Sequence, residues 1–287
     1  MTRTKKKIEA VYPLNALQRA LLFNHRADPA RDEGLIQMHF RLSGPLDRER
    51  FAEAWHRTFR QHPALRASVH WENISQPVWV VHPDVSPSIN WLDGAGAQED
   101  AAQEKWESFL NEDRRTPIEL TKPPAGRLTA MTIGTDDHYF AWTSHHILLD
   151  GWSAEAILKD MLRFYSEPGL DLRPLPTHKD YLSWLKRQDR DSGLAFWYSE
   201  LERHRGNSLF RPGQAEQRET RIRIVPELKQ AVESYARSNS LSVNTLMQGV
   251  WAALLGDYFS SPTVCFGTTV SGRPAEVPHF EEVAGMY

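Results

Sequence analysis

Ser144-His145-His146-Ile147-Leu148-Leu149-Asp150-Gly151-Trp152-Ser153 lies near the middle of the 287-residue chain, and its two flanks decide the fold. Residues 138–145, before it, alternate as a strand does. A period of two puts His146 on the face of Phe140, Trp142 and Ser144, and His145 on the face of Tyr139, Ala141 and Thr143, so the two histidines are expected to have different surroundings. After the motif the period becomes helical, with Ile157, Leu158, Met161, Leu162 and Tyr165 along one side and Ser153 placed as the N-cap. A strand delivers the histidines and a helix carries the chain away.

Toward the N-terminus, strands at 127–133 and 138–145 flank Gly134-Thr135-Asp136-Asp137 and read as a hairpin. Trp106, Phe109 and Leu110 mark a helix over 101–111, and strands are expected at 65–71, 77–81 and 89–92. Phe51, Trp55 and Phe59 recur at four-residue steps in a helix capped by Asp47 and closed before Pro63, behind a strand at 35–42. Asn15 caps a first helix over 15–23. Gly94-Ala95-Gly96 lacks the third glycine of a phosphate-cradling loop and reads as a turn. Toward the C-terminus, Pro168, Gly169, Pro174 and Pro176 mark an extended linker. Helices then follow over 179–187, 193–202, 226–237 and 242–258, with strands at 219–225 and 263–270. The expected organisation is a frayed, disordered tail at 1–7, a first lobe over 8–168, a linker at 169–176 and a second lobe over 177–287. Strands and helices alternate without the strict period of a parallel barrel, which favours a mixed α/β fold in two lobes.

The chain is 40% hydrophobic and 25% charged with a formal net charge of -3, which lacks the basic footprint of nucleic-acid binding. No apolar run is long enough to span a membrane and no signal-peptide core follows Lys5-Lys6-Lys7, so a cytoplasmic, monomeric protein is expected. Cys265 is the single cysteine, which excludes an intrachain disulfide and a Cys-based zinc site. Its neighbours Val264 and Phe266 suggest a buried, inert thiol.

There is no GxSxG elbow, no GxxxxGK loop, no HExxH and no full GxGxxG. Three readings of the histidine motif remain. A zinc site would require His145 and His146 to turn to one ion although adjacent strand residues point apart, and no third ligand is signalled. A structural reading makes one histidine a satisfied core residue and Asp150 a helix-entry or buried salt-bridge residue. A transferase reading makes His146 a base at a strand end. Aminolysis of a thioester fits the third, because the amine has a pKa near 8 and the departing thiol one near 8.5, so neither a nucleophilic serine nor a strong acid is needed. One histidine can accept the amine's surplus proton or orient the amine. Asp150 is then structural, paired with an arginine, and Gly151 lets substrate or backbone come close.

Further stretches belong with the motif. They are Tyr12-Pro13-Leu14-Asn15 with Gln18, Gln61-His62-Pro63-Ala64-Leu65-Arg66, Lys179-Asp180-Tyr181-Leu182-Ser183-Trp184, Gly267-Thr268 with Gly272-Arg273-Pro274, and Val283-Ala284-Gly285-Met286-Tyr287. With the HHxxxDGWS string they resemble, in order, the motifs of the condensation domains of nonribosomal peptide synthetases, which share the chloramphenicol acetyltransferase-like fold. Asn15 stands where the family has serine, Gln61 and Pro63 depart from its RHExLR pattern, and His178 replaces a tyrosine.

The resemblance implies a V-shaped pair of similar lobes, each an α+β two-layer sandwich, the second incomplete because the match stops before the family's last motifs. A truncated or short form is therefore expected. The implied activity is that of an acyltransferase-type condensation enzyme. It joins a carrier-bound acyl or peptidyl thioester to an aminoacyl acceptor, with both substrates on 4'-phosphopantetheine and no cofactor or metal held by the chain. Upstream and downstream carrier proteins and further synthetase domains are the implied partners, without nucleic acid or membrane. Carried over, His146 is catalytic, His145, Asp150 and Gly151 support the motif, and Arg66 is the expected salt-bridge partner of Asp150. Trp152, Ser153, Gly272 and Arg273 are assigned to the substrate channel. An acyl-CoA-dependent acyltransferase of the same fold and a non-catalytic remnant are the alternatives.

Overall fold

The computed structural model describes residues 8–28, 34–94, 99–134, 136–202 and 221–287. The tail expected at 1–7, the turn at 95–96, Thr135 of the hairpin and the first two residues of the strand at 219–225 lie outside them. In chain order the elements are β1 (Ala10–Pro13), α1 (Ala16–Ala27), β2 (Leu35–Ser43), α2 (Arg48–Gln61), a 3-10 turn (Pro63–Arg66), β3 (Ala67–His70), β4 (Val78–Val81) and β5 (Ile89–Asp93). They continue with α3 (Glu99–Arg115), β6 (Gly126–Thr132), β7 (Asp137–His145), α4 (Gly151–Ser166), α5 (His178–Leu185), α6 (Arg190–Glu202), α7 (Pro226–Ser238), α8 (Val243–Tyr258) and a 3-10 turn (Phe280–Glu282).

β7, the strand that delivers the histidines, is an inner strand of a four-stranded sheet in the order β2-β7-β6-β5. It runs antiparallel to β2, from Leu35 opposite His145 to Ser43 opposite Asp137, and antiparallel to β6. β5 and β6 are parallel, and α3 supplies the crossover such a pair requires. Alternation along β7 sorts the core. Phe140 and Trp142 pack with Phe51 and Trp55 of α2 and Ile157 and Met161 of α4. Tyr139 and Ala141 face Ala102, Trp106 and Leu110 of α3, where Trp106 stacks on Tyr139 at 5.5 Å between centroids. The second sheet, β1-β4-β3, adds Val69, Trp79 and Val81 to the α2 side. α2 also finishes α4: Arg50 Nη2 donates to Ser166 O at 2.7 Å, a carbonyl that the helix end leaves open, and Arg57 donates to Pro168 O just beyond it.

Contacts divide the chain into one unit, residues up to Arg187 with Ser271–Tyr287, and another, Gln188–Val270. The boundary therefore does not fall at the expected linker over 169–176. That stretch is bound into the first unit, because Arg173 pairs with Asp160 and Glu282 and exchanges backbone hydrogen bonds with the Gln61 side chain. In the second unit, residues 221–225 and 263–270 were expected as strands and join no ladder among the described residues. An extended segment becomes a strand only through a paired neighbour. Cys265 is accordingly exposed rather than buried. No helix among the described residues is long and apolar enough to cross a membrane.

Candidate functional site

The β2–β7 ladder ends at His145, and the next amide is still caught, His146 N donating to Gly34 O at 2.7 Å. The chain then turns inward. Ile147, Leu148 and Leu149 are buried in the main core, and Gln18 of α1 donates from Nε2 to Ile147 O at 2.8 Å. Three apolar side chains and one buried amide thus fix the turn between strand and helix.

The two histidines differ as alternation requires, although His146 stands just past the strand. His145 is fully buried, its Nδ1 accepts the Ile147 amide at 3.0 Å, and its ring lies edge-on to His25 at 5.4 Å. An Nδ1 that accepts a backbone hydrogen fixes the neutral tautomer with hydrogen on Nε2, which suits a residue that holds the turn. His146 is half-buried, and its enclosed Nδ1 has no hydrogen-bond partner among the described residues.

Asp150, not Ser153, is the N-cap of α4. Its Oδ1 accepts Ser153 N at 2.8 Å, and the Ser153 hydroxyl at N3 completes a capping box. The expected partner of Asp150, Arg66, is elsewhere: its guanidinium pairs with Glu9 and with the carbonyls of Phe59 and His82. Arg273 takes the place instead, Nη1 to Oδ2 at 2.7 Å and Nη2 to Oδ1 at 3.0 Å, with both side chains buried. The forked guanidinium matches the carboxylate, so both aspartate oxygens are engaged. Arg273 was assigned to the channel by resemblance; its guanidinium is occupied by Asp150 and by Val283 O.

The stretch after the second 3-10 turn, matched by resemblance to a family motif, was not expected to touch the histidine turn. Gly285 O accepts the Asp150 amide at 3.3 Å and lies 2.8 Å from Ser153 Oγ, to which Gly285 N donates at 2.9 Å. These are backbone groups, which carry no residue signature. Gly272 has φ +65°, and the Tyr287 backbone lies where a Cβ would be, so packing alone demands glycine there. A Cβ at Gly151 would meet nothing within 4 Å, and Trp152 beside it is 41% exposed. Behind the turn, a cavity of about 50 Å³ is lined by Trp55, Phe59, Trp142, Ser144 and Leu148, room for a few waters.

The family model described as "Condensation domain" matches residues 8–287. The chain is 33% identical to bacitracin synthase 3 of Bacillus licheniformis over 297 residues, which are 99% of this chain and 5% of that protein. It is 34% identical to chondramide synthase cmdD of Chondromyces crocatus over 270 residues, 88% of this chain and 7% of that protein. The chain therefore spans only a small part of these relatives. It is similar in fold to the first condensation domain of the calcium-dependent antibiotic synthetase in complex with a substrate analogue, with a TM-score of 0.77 and 18% identity. That match covers 97% of this chain and 68% of the other.

Proposed function

The chain belongs to the condensation-domain family, and on that premise we propose that it forms an amide bond between an acyl or peptidyl thioester and an amine, with His146 as the working group. One observation carries the reading. His146 stays partly exposed, while His145 is fully buried with its Nδ1 taken by the Ile147 amide, and the Asp150 carboxylate is taken by Ser153 and Arg273. Attack of the amine nitrogen on the thioester carbonyl forms the C–N bond and leaves a surplus proton on that nitrogen. The imidazole accepts it or orients the amine, the C–S bond breaks with its electron pair leaving on sulfur, and the thiolate is protonated in turn. The open space at Gly151 and the exposed Trp152 support an approach from solvent. Donor and acceptor arrive on the phosphopantetheine arms of upstream and downstream carrier domains, in a cytoplasmic assembly with further synthetase domains.

The test is amide formation between an acyl-loaded carrier and an aminoacyl-loaded carrier. His146→Ala is expected to lower the rate by about 100-fold or more, and His145→Gln far less at equal folded yield. Equal losses overturn the assignment of His146. Transfer from free acyl-CoA but not from a loaded carrier replaces the substrate class, and no turnover from either overturns catalysis by the 287-residue chain.

A further inference from the structure

A second charged network lies away from the histidine turn. His62 Nε2 is 3.1 Å from Asp160 Oδ2, with both side chains buried. Arg173 Nη2 donates to both Asp160 oxygens, at 2.8 and 2.9 Å, and Nη1 pairs with Glu282. Gln61 fixes the backbone at Arg173, its Oε1 accepting Arg173 N and its Nε2 donating to Arg173 O, each at 2.9 Å. Burial opposes the charge on Asp160, yet His62 and Arg173 hold its carboxyl below the usual carboxylate range, and Arg173 does the same to Glu282. The end of α2, the body of α4, the stretch around Arg173 and the turn Phe280–Glu282 are thereby tied together.

The chain after Glu282 carries the carbonyls that organise the site. Val283 O accepts Arg273 Nη2 at 2.9 Å, Gly285 O accepts the Asp150 amide, and Met286 O accepts Asn15 Nδ2 at 2.9 Å. A carbonyl orients its donor only as well as its own backbone is held. Phe280 and Val283 pack against Tyr181 and set the depth of the segment, but apolar packing is non-directional. Directional hold comes from Gly285 N on Ser153 Oγ within the site and, at the start of the segment, from Glu282 on Arg173.

We infer that Arg173 and Glu282 are positioning residues for the histidine turn: their ion pair clamps residues 280–286 so that Val283 O and Gly285 O hold Arg273 and Asp150 in place. The consequence for turnover rests on the proposed role of His146, whereas the clamp can be read without turnover. Amide hydrogen exchange in the full chain is the test. Arg173→Met and Glu282→Gln should each speed exchange at Asp150 and Gly285 by about tenfold, with Phe140 and Ala141 in β7 unchanged. Arg173→Lys, which keeps the charge but not the fork, should fall between. Glu282→Gln leaves Arg173 on Asp160 and keeps the test open if Arg173→Met does not fold. Unchanged exchange at Asp150 and Gly285 in a folded variant overturns the clamp. With carrier-bound substrates, kcat should fall while KM holds. Faster exchange with unaltered kcat overturns the positioning role and leaves the assignment of His146 to its own variant, while an active His146→Ala protein overturns that assignment and leaves the exchange result standing.

Discussion

His178 is the residue whose surroundings give the plainest pH dependence. Its ring sits among Tyr12, Trp79, Tyr181 and Tyr287 at centroid distances of 4.8, 4.9, 5.5 and 5.7 Å, and burial pushes its pKa down to about 4. In the unfolded chain an imidazole titrates near 6.5, so between these values the unfolded state binds more protons. The stability is complete above pH 6.5 and is lost as pH falls toward 4, by about 3 kcal/mol at most. Thermal melts from pH 7 to 4.5 should show a steeper fall in Tm for the parent than for His178→Phe; parallel curves would rule this out. The same scale shows what a sequence withholds. The demand of Asp150 for an arginine is legible, because a buried carboxylate in a motif needs a charged partner. Which arginine is not: Arg66 belongs to the 3-10 turn and is drawn to Glu9, while Arg273, 123 positions from Asp150, arrives only once the chain folds back.

At the scale of elements, β7, the turn and α4 are readable because their periodicity switches from two to 3.6 at the motif, and each face then finds its own helix. The cap is ambiguous in sequence, since Asp150 and Ser153 are both good N-caps three residues apart. In the structure they divide the task, Asp150 as cap and Ser153 at N3, because the serine hydroxyl must also receive Gly285 N. Ser153→Ala therefore removes more than half of a capping box. It also leaves the buried Gly285 amide without its acceptor, and a loss of about 2 kcal/mol is expected in denaturant unfolding. A loss below about 0.5 kcal/mol, the level of an ordinary surface change, would show that the hydroxyl is dispensable. The strands expected at 219–225 and 263–270 join no ladder among the described residues for another reason. Their sequences have strand character, but β structure is completed by a neighbour, and local sequence does not state whether one is present.

For the molecule as a whole, the two units differ in how much apolar surface they remove from water. In the first, Phe51, Phe140, Ile147 and Ile157 are almost wholly buried around β7. Among the described residues of 188–270, only Ala236 and Leu255 are buried, while Phe196, Trp197, Val250, Trp251 and Leu254 are exposed. An apolar side chain stabilises a fold only through the area it buries, about 25 cal/mol per Å². Secondary structure with little burial opens locally well before the whole chain unfolds. Amides in α6, α7 and α8 should therefore exchange orders of magnitude faster than those in β2, β6 and β7. The histidine turn should follow the slow group, because Gln18, Gly34, Asp150, Ser153, Arg273 and Gly285 all belong to the first unit. In subdenaturing urea, Asp150 and Ser153 amides should stay protected after α8 has exchanged. If they are released together with α8, the turn depends on residues 188–270, and the site is not self-contained in the first unit.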